Sequence, residues 1–337
     1  MRVAVLGGTR FIGFAITRTL HEAGHQVIVV HRGATEPPEL PPVEHVHIDR
    51  GSPSELKDAI PGLRADAIVD CLAMTRRDAE TAVEAMGPMG VIGRLVVLSS
   101  FDVYRAYSSL LAGEVTDPVP LSEESALRPE RYPLKAMGER FADYDKIDVE
   151  EVYLGAGATI LRLPMVYGER DPQRREEPIL RRVRAGRRVI PVGTGSWLSS
   201  RCYVGDVAAA VPVVLGRNDA GGDVFNVCER STWPARLHAR KIIEAAGAQA
   251  KLVRVPDELL PPDLQQTGSM AQHLLGTSAK LQDLGWGETD PDEAVRRSVQ
   301  WHLANPPDGP DPGFDQDDEA LAAGEDRDGA VPEGSSS

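Results

Sequence analysis

A glycine-rich stretch near the start of the chain has the residue types that bind a phosphate group. Residues 3–13 read V-A-V-L-G-G-T-R-F-I-G, an apolar run followed directly by glycines. Apolar residues then recur at helical spacing as far as Leu20, so the stretch predicts a strand, a turn and a helix. Free N–H groups at that helix N-terminus attract an anion, and glycine lets a pyrophosphate approach the backbone. The stretch predicts a dinucleotide site formed by Gly7, Gly8, Thr9, Arg10, Phe11, Ile12 and Gly13.

The spacing of these glycines leaves a second interpretation open. The sequence does not spell G-x-G-x-x-G, and it is closer to G-x-x-G-x-x-G with Arg10 at the middle glycine. A tight strand-to-helix turn that needs glycine only for its own backbone has the same pattern.

Two arginines favour NADP over NAD as the cofactor. Residues 26–30 have the pattern of a second strand, and His31 and Arg32 follow at its end. An enzyme that selects NAD usually carries Asp or Glu here, to bind the ribose 2′-hydroxyl. A guanidinium instead suits the 2′-phosphate of NADP, and Arg10 lies within reach of the same phosphate. Two solvated arginines beside the adenosine pocket remain the alternative interpretation, and NAD the alternative cofactor.

Strands and helices alternate through the first half of the chain. Three more strands are predicted over 46–48, 67–71 and 95–98, with helices over 53–60 and 77–86 between them. This alternation predicts an α/β fold, a Rossmann-type doubly wound parallel sheet. Asp49 and Ala73 follow the third and fourth strands, so they join His31 as expected cofactor contacts.

Composition limits the class of protein. The 337 residues suffice for about two domains, and their hydrophobic content is 42%. No apolar run approaches the roughly 18 residues of a membrane span and no signal peptide is recognised, so a cytoplasmic protein without a membrane partner is expected. The three cysteines lack C-x-x-C spacing and the eight histidines lack H-E-x-x-H. The sequence therefore predicts neither a disulfide framework nor a metal site.

The net charge of −14 is concentrated at the C-terminus. Residues 306–337 hold ten acidic residues against one arginine, and they are rich in Pro and Gly. Such a segment is too polar to bury a core, so an acidic disordered tail is expected. The remaining body has 41 acidic and 36 basic residues. An acidic body does not favour a nucleic-acid partner, because phosphate contacts need clustered basic charge.

Further motifs carry a resemblance to a known family. They are S-S-F-D-V-Y at 99–104, L-R-L-P-M-V-Y-G at 161–168, R-C-Y-V-G-D-V-A at 201–208, F-N-V at 225–227, and T-S-A-K at 277–280 with L-G-W at 284–286. With the glycine loop they resemble the extended short-chain dehydrogenase/reductase family, NAD-dependent epimerase/dehydratase type, and an uncharacterised bacterial subgroup of it. The resemblance covers residues 1 to about 305. It implies a dinucleotide-binding domain over 1–169, to which later elements return, a smaller C-terminal α/β substrate-binding part over 170–305, and a homodimer as an expected assembly.

The resemblance also implies a catalytic Ser, Tyr and Lys. By motif position the Ser is Ser100, which hydrogen-bonds the substrate oxygen. The Tyr is the general acid/base, and a Lys four residues later holds the nicotinamide ribose and lowers the Tyr pKa. No Tyr-x-x-x-Lys occurs: Tyr132 precedes Lys135 by three residues, and Tyr144 precedes Lys146 by two. The distance from Lys146 to the L-R-L-P motif fits one helix and favours Lys146; Tyr144, Tyr132 or no tyrosine at all remain open.

Substrate contacts follow from the resemblance as well. Met165 stands where nucleotide-sugar members often carry Asn. The position of their phosphate-binding Arg is occupied here by Ser199, and Arg201 lies two residues away. Pro164 is expected at the cofactor. Arginines over 181–188 are either a second phosphate site or a solvated helix face.

The expected function is an NADP-dependent oxidoreductase or epimerase/dehydratase acting on a hydroxyl or carbonyl of a sugar-like or other polar small molecule. The alternative is a redox-inactive dinucleotide-binding protein, regulatory or RNA-binding.

Overall fold

A computed structural model describes residues 1–87, 94–217 and 221–328. Its strands are β1 (Arg2–Leu6), β2 (Gln26–His31), β3 (Glu44–His47), β4 (Ala67–Asp70), β5 (Arg94–Ser100), β6 (Thr159–Leu163), β7 (Met165–Tyr167), β8 (Val189–Val192), β9 (Arg201–Tyr203), β10 (Val224–Asn226) and β11 (Lys251–Arg254). Its α-helices are α1 (Phe11–Glu22), α2 (Pro53–Leu63), α3 (Arg76–Met86), α4 (Arg105–Ala112), α5 (Lys146–Gly155), α6 (Glu177–Arg184), α7 (Val204–Leu215), α8 (Ala235–Ala245), α9 (Ala279–Gln282), α10 (Pro291–Ala304) and α11 (Asp315–Asp328).

Seven strands form one parallel sheet in the order β10-β6-β5-β4-β1-β2-β3. In register, Val3 on β1 lies between Val27 on β2 and Ala67 on β4. Val3 and Ala67 are fully buried, as expected for strands covered by helices on both faces. The sheet is the Rossmann-type doubly wound sheet that the sequence predicts. Its strand order reverses beside β1, so the crevice for a ligand opens at the carboxyl ends of β1 and β4.

Strand β5 is longer than the sequence pattern indicates. It extends to Ser100, and Ser99 and Ser100 pair with Arg162 and Leu163 of β6. Ser100 is therefore held by the sheet itself and not by a loop beyond it.

The chain after β6 builds smaller sheets beside the main one. Strands β8 and β11 form one two-stranded parallel pair, and β7 and β9 form another. Strand β10, by contrast, returns to the main sheet and pairs with β6. Domain boundaries at residues 169 and 305 stay predictions.

The expectation of a disordered acidic tail is wrong for residues 315–328, which form α11. Asp317 is fully buried and lies 2.6 Å from Nε of Arg182, which is itself fully buried. Phe314 adds a cation–π contact, since the guanidinium of Arg181 lies 4.7 Å from its ring centroid. Composition alone missed this because the segment is held by specific ion pairs to α6 together with a small apolar contact, in which Ala320 and Leu321 pack against the core. Within the described ranges, no helix combines the length and apolar character that a bilayer crossing requires.

Candidate active site

The glycine loop between β1 and α1 has no room for side chains at its three glycines. A Cβ at Gly13 would lie 2.0 Å from the carbonyl oxygen of Gly7, and Gly7 has a φ of 88°. Gly8 packs inward, since a Cβ there would lie 2.4 Å from Oγ1 of Thr17. The loop therefore brings backbone, not side chains, to the crevice, as a pyrophosphate requires.

A cavity of about 520 Å³ opens beside this loop at the carboxyl ends of β1 and β2. It is lined by the predicted residues Gly7, Thr9, Arg10, Phe11, Ile12, Gly13, His31, Arg32 and Asp49. The side chains of Arg10 and Arg32 are exposed. Among the described residues, no hydrogen bond or ion pair occupies either guanidinium, so both are free to meet an anion.

Arg50 also lines this cavity and was not predicted. Its Nη1 lies 2.6 Å from Oδ1 of fully buried Asp70, which ends β4, and Tyr153 of α5 donates to the other carboxylate oxygen of Asp70. Asp70 Oδ1 further accepts the backbone N–H of Leu72 at 2.9 Å. This network fixes the backbone beside the cavity. The sequence signal for this network was Asp70, a charged residue that ends an otherwise apolar strand.

Ser100, Tyr144 and Lys146 are brought together around a fourth residue, Asp102, that sequence reasoning missed. The Tyr144 hydroxyl donates to Oδ2 of Asp102, and the Ser100 hydroxyl oxygen accepts the Asp102 N–H at 3.2 Å. Ser100 also interacts with the side chains of Asp102 and Tyr144. We call these four residues the acid/base cluster.

Lys146 contributes a buried ammonium group to the cluster. Its Nζ donates to the carbonyl oxygens of Ala73, at 2.6 Å, and Leu98, at 3.1 Å. Ala73 therefore contacts Lys146 and is not among the cavity-lining residues. Helix α5 begins at Lys146 with Asp145 as its N-cap. Tyr144 thus lies outside the helix, and the rule that helical residues two apart face opposite sides does not apply to it.

Tyr132, the other predicted candidate, does not join the cluster. Its side chain is 41% exposed, and its backbone N–H donates to Asp145 at 2.9 Å. Lys135, which follows Tyr132 by three residues, begins an exposed 3₁₀ turn instead of a helix. Pro164, predicted at the cofactor, is half-buried between β6 and β7.

Burial controls the ionisation of the cluster. Burial raises the pKa of Asp102, against the opposing hydrogen bond from Tyr144 and the charge of Lys146. Burial and the neighbouring Asp102 charge raise the pKa of Tyr144. Burial lowers the pKa of Lys146, while Asp102 opposes that shift. In this arrangement Tyr144 is a protonated donor, not the phenolate that a nearby lysine alone would favour.

A second, larger cavity of about 1100 Å³ is lined by Tyr107, which lies near Asp102 and Tyr144 of the cluster. Met165, predicted as a substrate contact, lines it together with Tyr107, Trp197 and Ser199. Its other wall comes from α6 and from residues 312–317. Arg201 is not among the lining residues. It lies near Glu229 and Tyr167, and burial lowers the pKa of its guanidinium.

Among the arginines over 181–188, Arg184 and Arg188 are exposed, as a solvated face would be, whereas three others are paired. Arg182 lies 2.8 Å from Asp263 as well as pairing with Asp317, and Arg181 lies 2.8 Å from Asp263. Arg187 pairs with Asp318. Acidic side chains of this chain already neutralise these three.

The family motifs meet in one buried polar network behind the cluster. Tyr104 donates to the Asn226 side chain at 2.6 Å, and Arg162 donates to the Tyr104 hydroxyl at 3.2 Å. Arg162 also pairs with Glu150 at 2.8 Å, and Glu150 accepts from Ser99 at 2.5 Å. The network ties β5, α5, β6 and β10 together, which explains why residues far apart in sequence form one pattern.

Two curated proteins have similar sequences. One is a 2′-dehydrokanamycin reductase of Streptomyces kanamyceticus, 26% identical over 283 residues, which are 81% of this chain and 74% of that protein. The other is the chloroplast stem-loop binding protein of 41 kDa b from Arabidopsis thaliana, 25% identical over 241 residues. That match covers 67% of this chain and 58% of the Arabidopsis protein.

A solved structure has the same fold. The UDP-glucose 4-epimerase of Thermus thermophilus, in complex with NAD, superposes with a TM-score of 0.66 at 22% identity, covering 90% of this chain and all of that one. The family model for the NAD dependent epimerase/dehydratase family matches residues 3–228, which include the glycine loop, the acid/base cluster and the buried network. The chain belongs to the NAD-dependent epimerase/dehydratase family of enzymes.

Proposed function

We propose that this protein is an NADP-dependent oxidoreductase that reduces a carbonyl, or oxidises the matching hydroxyl, on a sugar-like or other polar small molecule. The observation that carries the proposal is the acid/base cluster, in which Ser100, Asp102, Tyr144 and Lys146 meet at the carboxyl end of β5. Epimerisation or dehydration by the same residues is the neighbouring possibility within the family.

The residues of the smaller cavity fit a dinucleotide. The glycine loop has no space for a Cβ at Gly13 and supplies backbone at the helix N-terminus. The free guanidiniums of Arg10 and Arg32 suit the 2′-phosphate of NADP, for which a carboxylate at the same place would be repulsive. When bound, the cofactor supplies or accepts a hydride.

The cluster handles the proton that accompanies that hydride. In the reduction direction, Tyr144 donates the proton at its hydroxyl oxygen to the substrate oxygen, while the Ser100 hydroxyl orients that oxygen. The Lys146 ammonium stabilises the negative charge that then develops on Tyr144, and Asp102 positions the Tyr144 ring. The reverse direction uses the same groups with the proton moving to Tyr144.

A substrate without a diphosphate group fits the larger cavity better than a nucleotide sugar. Ser199 stands at the position of the family's phosphate-binding arginine, and Arg181 and Arg182 are paired with Asp263, Asp311 and Asp317. The Streptomyces relative is a 2′-dehydrokanamycin reductase. Its name supports a substrate that is a polar ketone without a diphosphate group.

The alternative, a redox-inactive dinucleotide-binding protein, has support from the similarity to the Arabidopsis stem-loop binding protein. Nucleic-acid binding conflicts with a net charge of −14 and with arginines already paired to acidic side chains. A gel-shift titration with stem-loop RNA at low salt distinguishes the two: a salt-dependent shift supports the alternative, and none is expected.

Cofactor oxidation tests the proposal directly. Purified protein with NADPH and a panel of keto sugars, including keto aminoglycosides, is followed at the NADPH absorbance band. We expect turnover of at least one ketone, with NADPH preferred over NADH. No turnover across the panel together with NADPH binding supports the redox-inactive alternative.

A further inference from the structure

Four side chains at the outer edge of the main sheet bring three imidazoles and a carboxylate together. His31 ends β2, His45 and His47 lie two apart on β3, and Glu36 is in the connecting loop. His31 pairs with His47 in the parallel register, so the imidazoles share one face of the sheet. One ligand atom from each of the four residues lies within 4.8 Å of the other three.

The separations between these atoms match a tetrahedral metal site. Nε2 of His31 is 2.8 Å from Nδ1 of His45 and 3.5 Å from Oε1 of Glu36. The same Glu36 oxygen is 2.6 Å from Nε2 of His47 and 3.9 Å from Nδ1 of His45. Ligands at zinc bond lengths and tetrahedral angles are about 3.3 Å apart, in the middle of this range.

We propose that His31, Glu36, His45 and His47 bind one Zn²⁺ ion. Imidazole nitrogen and carboxylate oxygen are both zinc ligands, and three imidazoles favour zinc over calcium or magnesium, which take oxygen. Four protein ligands fill a tetrahedral shell and leave no position for substrate, so the ion is structural. The H-E-x-x-H criterion missed the site because two adjacent strands and a loop, not one helix, supply its ligands.

Zinc binding replaces two hydrogen bonds of His31. Gly33 N–H donates to Nδ1 of His31 at 3.2 Å, which leaves the ring proton on Nε2 facing His45. Ligation through Nε2 moves this proton to Nδ1 and breaks the Gly33 bond. Gly33 has a φ of 75° and no side chain, so its peptide is free to turn. Binding therefore exchanges two weak contacts of His31 for a metal bond.

The zinc site adjoins the adenosine cavity. His31 lines that cavity, Arg32 follows it directly, and Thr35 next to Glu36 lines the cavity too. An ion tying Glu36 to both strands fixes the segment that carries Arg32. Under the proposed function, NADPH affinity should rise when zinc is bound, whereas zinc binding itself is independent of that function.

Zinc titration of the full chain without a histidine tag tests the site. Metal-stripped protein is titrated with ZnCl₂ in competition with a chromophoric chelator, and thermal unfolding is followed with zinc and with EDTA. We expect about one equivalent of Zn²⁺ and a higher Tm with zinc, because binding to the native state alone stabilises it. In His21→Ala, which removes a histidine from α1, both results should be unchanged.

Ligand variants separate the site from adventitious binding. The double variant His45→Ala/His47→Ala should no longer bind the equivalent of Zn²⁺ that the wild type binds. Glu36→Gln, which changes only a half-exposed loop residue and leaves the strands intact, should weaken zinc binding by at least about tenfold. No zinc uptake by the folded wild type, or equal uptake by Glu36→Gln and wild type, overturns the proposal. A zinc-binding protein with no ketone turnover leaves the zinc site standing and counts against the proposed function alone.

Discussion

The hydroxyl of Tyr144 donates a hydrogen bond to the carboxylate of Asp102, although 42 residues separate them. The contact depends on how α5 begins. Asp145, the N-cap, is fully buried and lies 2.5 Å from the guanidinium of Arg128, which is also buried. This buried ion pair fixes the residue between Tyr144 and Lys146. Tyr144 therefore reaches Asp102, and Lys146 reaches the carbonyl oxygens of Ala73 and Leu98, without the usual helical spacing.

Removing the Tyr144 hydroxyl tests its role as proton donor. For Tyr144→Phe we expect kcat to fall by about 100-fold or more, the usual contribution of general acid catalysis, with NADPH affinity unchanged. Tyr132→Phe is the matched control and should retain full activity, because the Tyr132 side chain is 41% exposed and outside the cluster. Steady-state rates with the same ketone give kcat, and stopped-flow measurement of NADPH binding gives the affinity. An equal loss in the two variants contradicts the assignment.

Arg32 should determine the choice between the two nicotinamide cofactors. Its exposed guanidinium lines the adenosine cavity, and a charge-assisted hydrogen bond to the 2′-phosphate contributes about 1.5–3 kcal/mol. Arg32→Ala should therefore weaken NADPH about 10- to 100-fold and leave NADH nearly unchanged. Arg77→Ala, at an exposed position on α3, is the control. Calorimetric Kd values check this, and equal NADPH and NADH affinities in the wild type contradict the NADP assignment.

Gly13→Ala should weaken dinucleotide binding while the chain still folds. The new methyl carbon would lie 2.0 Å from the Gly7 carbonyl, so the loop must move away from the cofactor position. We expect at least about tenfold weaker binding of either dinucleotide, equal to about 1.4 kcal/mol. Gly62→Ala in α2, where a Cβ meets nothing within 4 Å, should bind normally. Fluorescence titration and circular dichroism separate lost binding from lost folding.

The main sheet and the glycine loop could be predicted from sequence because each depends on local patterns. Apolar runs of the right length and glycines with no spacer identify β1, β2 and the turn wherever they occur. The acid/base cluster could be predicted only in part. Ser100 and Lys146 follow from motif position, but Asp102 reaches Tyr144 through the late start of α5, which Arg128 determines from another segment.

The acidic C-terminal segment shows a structure that local sequence patterns could not predict. Composition describes a segment in isolation, and residues 306–337 alone have too little apolar surface to fold. The partner of Asp317 is Arg182, 135 residues away, and no local pattern links them. The same holds for His31 and His47, which become neighbours only through strand register.

Asp317→Ala should destabilise the protein through this ion pair. Arg182 is fully buried and would keep only Asp263 as its carboxylate partner. Breaking a buried pair from one side costs about 3 kcal/mol or more, and the remaining Asp263 contact should hold the loss near that lower figure. Urea unfolding measures the change, and Asp308→Ala, an exposed substitution in the same segment, should have no effect. Wild-type stability in Asp317→Ala contradicts a docked α11.

Glu176 should make the protein less stable as pH rises towards neutrality. It is fully buried on the loop before α6, accepts a hydrogen bond from Ser298 at 2.7 Å, and burial raises its pKa to about 7. Between its ordinary value near 4.5 and this raised pKa, the native state holds a proton that the unfolded chain has lost. The free energy of unfolding therefore falls with increasing pH across this window, by at most about 1.4 kcal/mol per pH unit.

Glu176→Gln removes this dependence while keeping an oxygen for the Ser298 hydrogen bond. Near pH 4.5 the two proteins should have similar stability, since Glu176 is then protonated in the native state. At pH 8 the variant should be more stable by up to about 3 kcal/mol, because the wild type must bury an ionised carboxylate. Glu22→Gln, an exposed change of the same type on α1, controls for the loss of one charge. Urea unfolding of all three proteins at several pH values gives the difference, and a variant less stable than wild type at pH 8 would show that an ionised Glu176 is stabilising.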